Sequence, residues 1–398
     1  MTGGQDFPSD ADFPGDAEIR GMIDRYVDRM KAMDAIGSAA SERAFRTVSR
    51  HRLLETFYHR ASDGTVATIQ NDPSHPRRDH LALIYADDAL ATRRAEGMPV
   101  SSTSQPSLMA RMIRFLGLAD GMKILEVGAG TGYNAALMAE IVGDQRLVVT
   151  VDVLEDVVDQ TRRLLAAAGY PQIQVLLRDG FEGVPEQAPF ERIMATVGCS
   201  DLSPNWAAQL DSDGAMLVPL AHGSGHPLVL VRKDGDTLRG RMVLRTGFIA
   251  VRGPLHIEDL WVEGVLLTDP AETVHEPDIA PRFTPRPPDE PMQPSDDETD
   301  FVFFLGLHER GACSGPTGPT LSGGPDGWAT LAPDGIQWWG DESLARELDR
   351  RYREWDARGR PALEDYLVTF VPMQDGGDGP PEGWQIERRF YRELLTLG

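Results

Sequence analysis

Residues 124–133, Ile-Leu-Glu-Val-Gly-Ala-Gly-Thr-Gly-Tyr, read as a buried strand running into a glycine turn that opens a helix. Gly128, Gly130 and Gly132 leave the backbone bare where a ligand must approach closely, with Ala129 between the first two. A helix expected from about Tyr133 to Val142 turns its free N–H groups toward that ligand. The spacing is G-x-G-x-G, so the third glycine comes one residue earlier than in the G-x-G-x-x-G of pyrophosphate-binding dehydrogenases. Glu126 stands just ahead of the first glycine. Its carboxylate would repel a pyrophosphate but attract the ammonium and sulfonium of S-adenosylmethionine, and the turn therefore suits that cofactor better than NAD.

Working outward, the β-branched run Leu147 to Val151 ends in Asp152, roughly 20 residues past the glycines, where Rossmann-like folds set an acid on the ribose hydroxyls. Asp179-Gly180 follows the apolar strand Ile173 to Leu177 and is expected near the adenine. Taken singly, Asp152 and Asp179 also read as ordinary strand-end turn residues; behind the glycine turn, in this order, they read as cofactor contacts. From 123 to about 231 strand and helix alternate, as in a parallel sheet covered on both faces. The expected strands are 123–127, 147–151, 173–177, 192–196, 215–219 and 228–232. The fold class is α/β, a Rossmann-like doubly wound, mostly parallel sheet.

The remainder of the 398 residues adds appendages. Residues 1–17 carry Gly, Asp and Pro without periodicity and are expected to be disordered. Helices are expected near 18–34 and 39–49, residues 59–84 read as a turn-rich loop insertion, and Pro106 opens a helix with the stripe Leu108, Met109, Met112, Ile113 and Leu116. A catalytic domain over 18–268 is expected to end at a Pro- and acid-rich linker, 269–300. A small α+β module over 301–398 would follow. In it Phe301 to Leu307 has strand length, and Asp341 or Ser343 can cap a helix bearing Leu344, Leu348, Tyr352 and Trp355, stopped by Gly359 and Pro361. His308 stands alone there, and Trp338-Trp339 reads as core.

A net charge of −23 argues against a nucleic-acid partner, whose phosphates need clustered Lys and Arg. The local basic set from Arg20 to Arg60, which includes Arg50, His51 and Arg52, reads as the solvated face of amphipathic helices, or as a guide for an acidic peptide. No apolar run approaches the ~18 residues of a membrane span, and the acidic start of the chain is unlike a signal peptide, so a cytoplasmic location is expected. Cys199 and Cys313 lie in no metal-ligand spacing, and no metal site is expected. Cys199 reads as a small buried residue before it reads as a nucleophile.

Together these stretches resemble the protein-L-isoaspartate O-methyltransferase family over about 19–255. The resemblance is carried by Ala44 to His51, Tyr85 to Leu90, Ser102-Thr103-Ser104-Gln105-Pro106, Leu125 to Tyr133, Asp179-Gly180-x-x-Gly183, Pro189-Phe190-Glu191, Gln209-Leu210-x-x-x-Gly214 and Val218-Pro219. It implies that Ser104 is the active-site serine and that Glu126, Gly128, Ala129, Gly130, Asp152, Asp179 and Gly180 bind S-adenosylmethionine. By position alone, Ser104 could also cap the helix opened by Pro106. Thr103 and Asp152 depart from the family's usual Ile and Glu, and the 59–84 insertion and the extension past 255 exceed the compact repair enzyme.

The implied reaction is methyl transfer to an aspartyl or isoaspartyl carboxylate of a peptide or protein, the ester then closing to a succinimide. That carboxylate is ionised at neutral pH, its ordinary pKa being about 4, so alignment and removal of water matter more than a base. His51, His222 and His226 are expected to be structural. Two substrates fit: damaged protein bearing isoaspartate, or a dedicated precursor peptide. The stretch Trp355-x-x-x-Gly359-Arg360-Pro361 resembles extended family members of peptide natural-product pathways and favours the second. A small-molecule O-methyltransferase and a catalytically dead scaffold are the readings from other classes. The oligomeric state is not legible.

Overall fold

The computed structural model describes residues 13–61, 64–223, 225–235, 237–256, 296–315, 317–332, 335–374 and 383–398. The chain forms two compact units, one of residues up to Thr196 together with Ala208–Leu217, the other of Val197–Ala207 and Val218–Gly398.

In the first unit, α1 (Asp16–Ala32) turns Ile23, Tyr26, Val27 and Met30 inward. Ser38 Oγ accepts the Ser41 N–H at 3.1 Å to start α2 (Ala39–Thr47). Next come β1 (Thr56–Arg60), β2 (Val66–Gln70), α3 (Arg78–Ile84), β3 (Leu90–Ala95) and β4 (Met98–Thr103), whose strands form an antiparallel sheet in the order β2-β1-β3-β4. The loop insertion expected over 59–84 is therefore corrected. Only its middle is loop, where Asp72 Oδ1 accepts the Ser74 and His75 N–H groups; Thr56–Arg60 and Val66–Gln70 pair as a polar hairpin with little apolar alternation to betray it.

Helix α4 (Pro106–Leu116) buries Met109, Met112, Ile113 and Leu116 of its expected stripe, and leaves Leu108 half-buried. The parallel sheet follows: β5 (Ile124–Val127), α5 (Tyr133–Val142), β6 (Val148–Asp152), α6 (Glu155–Ala167), β7 (Gln174–Leu177), β8 (Phe190–Ala195), α7 (Pro204–Gln209) and β9 (Leu210–Pro219). Its order is β7-β6-β5-β8-β9, all parallel. Successive strands run outward from β5 to β7, then the chain returns to β8 on the other side of β5. That reversal opens a crevice at the carboxyl end of β5, where open α/β sheets bind ligands. The Rossmann-like α/β architecture is the one the strand and helix alternation implied.

The second unit holds β10 (Leu228–Asp234) and β11 (Thr237–Leu244), then α8 (Asp296–Gly306), β12 (Ala312–Ser314), β13 (Pro319–Ser322), β14 (Gly327–Ala332), β15 (Gly335–Gly340), α9 (Ser343–Ala357), β16 (Tyr366–Pro372), β17 (Trp384–Glu387) and β18 (Tyr391–Leu397). Strands β10-β11-β16-β18-β17 are antiparallel neighbours, with Leu238 opposite Phe370 and Arg241 opposite Leu367. Strands β12 to β15 form their own antiparallel sheet.

Several expectations change in this unit. Phe301 to Leu307 is no strand: Phe301 to Gly306 lies in α8 and Leu307 follows its end, with Phe301 packed on Tyr352 and Trp355 of α9 at centroid distances of 5.2 and 5.5 Å. A short apolar run buried on all sides has no period to separate helix from strand. The expected linker thereby ends early, since 296–300 is the start of α8, and 269–295 lies outside the described residues, as do 1–12. His308 is not alone, because Trp384 Nε1–H donates to its Nε2 at 2.8 Å. Trp339 is 41% exposed rather than core. Among the described residues no helix is long and apolar enough to cross a membrane.

Candidate active site

The glycine turn leaves β5 with Gly128 at φ 104°, Gly130 at φ 52° and Gly132 at φ 80°, a backbone path that side-chain-bearing residues rarely take. Two of these positions also lack room. A Cβ on Gly130 would stand 2.9 Å from the Ser102 carbonyl, and one on Gly132 would stand 2.9 Å from Thr161 and Leu165 of α6. Hydrogen bonds fix the path: Gly128 N–H to Val151 O at 2.9 Å, Gly132 N–H to Ala129 O at 2.8 Å, Thr161 Oγ1–H to Gly130 O at 2.8 Å and Thr196 Oγ1–H to Gly128 O at 2.8 Å.

Three carboxylates stand at or near the ends of adjacent parallel strands. Glu126 is buried in β5; its Oε1 accepts Asn134 Nδ2–H at 2.7 Å, while its Oε2 is buried with no partner. Burial, with the Asp152 charge, raises its pKa from 4.5 to about 7 against the lowering effect of the Asn134 amide and the Thr150 hydroxyl. Asp152 ends β6, where Oδ1 accepts the Leu154 N–H at 3.1 Å and Oδ2 the Gly130 N–H at 3.4 Å; burial raises its pKa too. Asp179 follows β7, and its Oδ1 accepts the Phe181 N–H at 2.9 Å. Both aspartates thus serve as turn residues, and the Asp152 bond also ties β6 to the glycine turn. A Cβ on Gly180 would overlap Val127 Cγ1. The sequence overlooked Val153, an apolar side chain left 39% exposed beside Asp152.

Ser104 follows β4, which reaches the glycine turn through the Ser102 carbonyl. The alternative of a helix cap fails. Gln105 occupies the N-cap position of α4, and Asp87 supplies the cap, its Oδ1 accepting the Ser107 N–H at 2.8 Å and its Oδ2 the Gln105 Nε2–H at 3.0 Å. The half-buried Ser104 hydroxyl takes no part in that cap.

Arg50 was misplaced by its neighbours in sequence. Read as part of a solvated basic face, it is 1% exposed and donates to five carbonyls: Ile84 at 2.7 Å, Ala86 at 3.4 Å, Asp88 at 2.9 Å, Thr103 at 3.4 Å and Ser104 at 3.1 Å. His51 is also buried, its Nδ1 2.8 Å from the Tyr85 hydroxyl, and burial lowers its pKa to about 4. His226 is likewise lowered by burial to about 4. Cys199 is fully buried, and burial pushes its thiol well up, which leaves it no nucleophile. Among the described residues no group of three or more His, Cys, Asp or Glu could hold a metal ion.

The model of the protein-L-isoaspartate(D-aspartate) O-methyltransferase family matches residues 29–255, more than half of the chain. The chain belongs to this family. S-adenosylmethionine is the family's methyl donor. The protein-L-isoaspartate O-methyltransferase of Methanopyrus kandleri is 32% identical over 221 residues, covering 55% of this chain and 86% of that protein. The enzyme of the same name from Thermotoga maritima is 37% identical over 177 residues, 44% of this chain, and the match spans only 56% of its own length. A solved structure named protein-L-isoaspartate O-methyltransferase shares the fold, with a TM-score of 0.54 at 24% identity over 94% of this chain and 99% of that one. The fold likeness thus reaches past residue 255 into the second unit.

The residues present fit the family's cofactor. The orphaned Glu126 Oε2 lacks a hydrogen-bond donor, which a cationic ammonium would supply, and the close approaches at Gly130 and Gly180 keep the turn free of side chains.

Proposed function

We propose that the protein is an S-adenosylmethionine-dependent carboxyl O-methyltransferase acting on isoaspartyl residues of peptides or proteins, with Ser104 on the substrate side. The bound cofactor supplies an electrophilic methyl group on a sulfonium. The chain's own residues supply the rest. Glu126 would hold the cationic amino acid portion, Asp152 and Asp179 would hold the ribose and adenine ends, Val153 would offer an apolar wall, and Gly128, Ala129, Gly130 and Gly180 would allow close approach. The Ser104 hydroxyl orients a carboxylate that needs no deprotonation, which agrees with the lowered pKa of buried His51. The ester formed leaves methanol when the next backbone nitrogen attacks its carbonyl, closing the succinimide without further catalysis.

The observation that carries this reading is the buried, unpartnered Glu126 Oε2 beside the turn whose Gly130 touches the Ser102 to Ser104 strand end. Repair of damaged protein fits this reading as the role. The Trp355-x-x-x-Gly359-Arg360-Pro361 resemblance supports instead the tailoring of a dedicated precursor peptide, and its residues also have structural work. Trp355 Nε1–H donates to Pro361 O at 3.2 Å, Gly359 takes φ 81°, and the Arg360 guanidinium lies 5.7 Å from the Trp355 ring. Incubation with an isoaspartyl hexapeptide, its aspartyl twin and a precursor peptide, read by mass spectrometry, tests the assignment. Repair predicts a gain of one methylene's mass on the isoaspartyl peptide, then a net loss of one water. Modification of the aspartyl or precursor peptide alone would overturn it.

A further inference from the structure

We infer that Arg50, together with Asp87, is a positioning residue that sets the Ser104 peptide unit against the cofactor turn; the inference rests on the role given to Ser104 above. A buried guanidinium is costly unless its donors are satisfied and its charge is neutralised. Arg50 has no carboxylate partner among the described residues. The acceptors of its Nη1 and Nη2 are all backbone carbonyls, in two sets, while its buried Nε has no partner. Ile84, Ala86 and Asp88 belong to the end of α3 and the segment leaving it; Thr103 ends β4 and Ser104 follows it. Nη2 bridges the sets, reaching Asp88 O at 2.9 Å and Ser104 O at 3.1 Å.

The same two segments are joined a second time. Asp87, inside the first, accepts the Ser107 N–H and the Gln105 side-chain N–H, just past Ser104. Ser104 therefore sits between two anchors, its own carbonyl held from one side and the start of α4 from the other. On its remaining side the Ser102 carbonyl abuts Gly130. A planar fork with five donors can satisfy carbonyls from two segments at once, whereas a lysine ammonium has three donors from one point. The guanidinium also lies 5.9 Å from the ring of Tyr133, the first residue of α5, so one side chain touches both the serine loop and the helix that the cofactor turn opens.

The test is a double-mutant cycle on the full chain with an isoaspartyl peptide, measuring kcat, KM and the Kd of S-adenosylmethionine for Arg50→Lys, Asp87→Ala, Ser104→Ala and each pair with Ser104→Ala. Arg50→Lys keeps the charge and loses the fork; Asp87→Ala, at a part-exposed cap, covers the case in which Arg50→Lys fails to fold. A misplacement of about 1 Å costs on the order of 100-fold, so each single variant should lower kcat by roughly 10- to 100-fold without a matching loss of cofactor affinity. In the Ser104→Ala background the same substitutions should add less than about threefold, because they act through the hydroxyl already removed. Effects that multiply, or an unchanged kcat in Arg50→Lys and Asp87→Ala, would overturn the inference while leaving Ser104 its role. Full activity in Ser104→Ala alone would instead overturn the role of Ser104, and the inference with it.

Discussion

Burial holds Glu126 at about 7 in the folded chain against 4.5 when unfolded, so folding takes up a proton between those two values. The stability this group confers is intact below pH 4.5 and is lost as pH rises through 7, on the order of 3 kcal/mol by pH 8. The carboxylate is thus a burden on the free protein that a bound cation relieves. Glu126→Gln should raise the thermal midpoint of the free protein at pH 8 and leave it nearly unchanged at pH 4, while weakening cofactor binding. Scanning calorimetry with and without S-adenosylmethionine checks both halves; equal midpoints at pH 8 would remove the electrostatic reading. Ser104→Ala is expected to cut kcat by 10-fold or more, roughly the loss of one oriented hydroxyl, with the cofactor Kd little changed. Matching losses in both would move the serine out of the substrate's reach.

The strand, turn and helix that begin at Ile124 were legible because three signals coincide there: an apolar run, glycines at alternate positions and acids at the following strand ends. Gly130→Ala tests the element as a whole. The substitution forces a side chain into φ 52° against the Ser102 carbonyl, and both cofactor affinity and turnover should fall together. A titration showing normal affinity would mean that the turn has slack. Arg50 was illegible for the converse reason. It sits in the run Arg50-His51-Arg52, of which Arg52 is exposed and the other two are buried, and a short 3-10 turn carries no period to tell them apart. The Asp87 cap was hidden as well, because it comes from a segment almost 20 residues ahead of the helix it caps. Helix α8 was missed because Phe301 to Leu305 is apolar at every position and so shows no period.

At the scale of the molecule, the sequence drew a boundary between 268 and 301, yet residues 218–256 before it and the described residues after it belong to one compact unit. Strand pairing across that stretch, Leu238 with Phe370, joins residues too far apart for any local pattern to register. A buried polar cluster ties the same unit together. Arg388 donates to Glu393 at 2.5 Å, to Ser200 O at 2.7 Å and to Ala221 O at 3.1 Å; His222 Nε2 lies 3.1 Å from Glu393; and Asp201 accepts the Phe390 and Tyr391 N–H groups. Burial drives Glu393 up, but the charges of Arg388 and His222 outweigh it and leave the carboxyl at about 2. Its contribution is present above pH 4.5 and fades as pH falls toward 2. Glu393→Gln leaves the Arg388 charge buried and should cost about 3–5 kcal/mol in denaturant unfolding. A chain ended at residue 256 would bare the β11 edge and lose those partners, and it should be recovered as aggregate rather than as a soluble binder of the cofactor.

The central claim is that a bare glycine turn flanked by Glu126 and Asp152 grips a cationic methyl donor. Calorimetric titration of S-adenosylmethionine into the full chain across pH 5–9, with Glu126→Gln and Asp152→Asn alongside, tests it most directly. The account predicts one site per chain, with affinity falling below about pH 7 as Glu126 protonates and above about pH 8 as the ligand's amino group loses its charge, and a flattened acid limb in Glu126→Gln. Absence of heat at millimolar cofactor, or affinity indifferent to both substitutions, would contradict it.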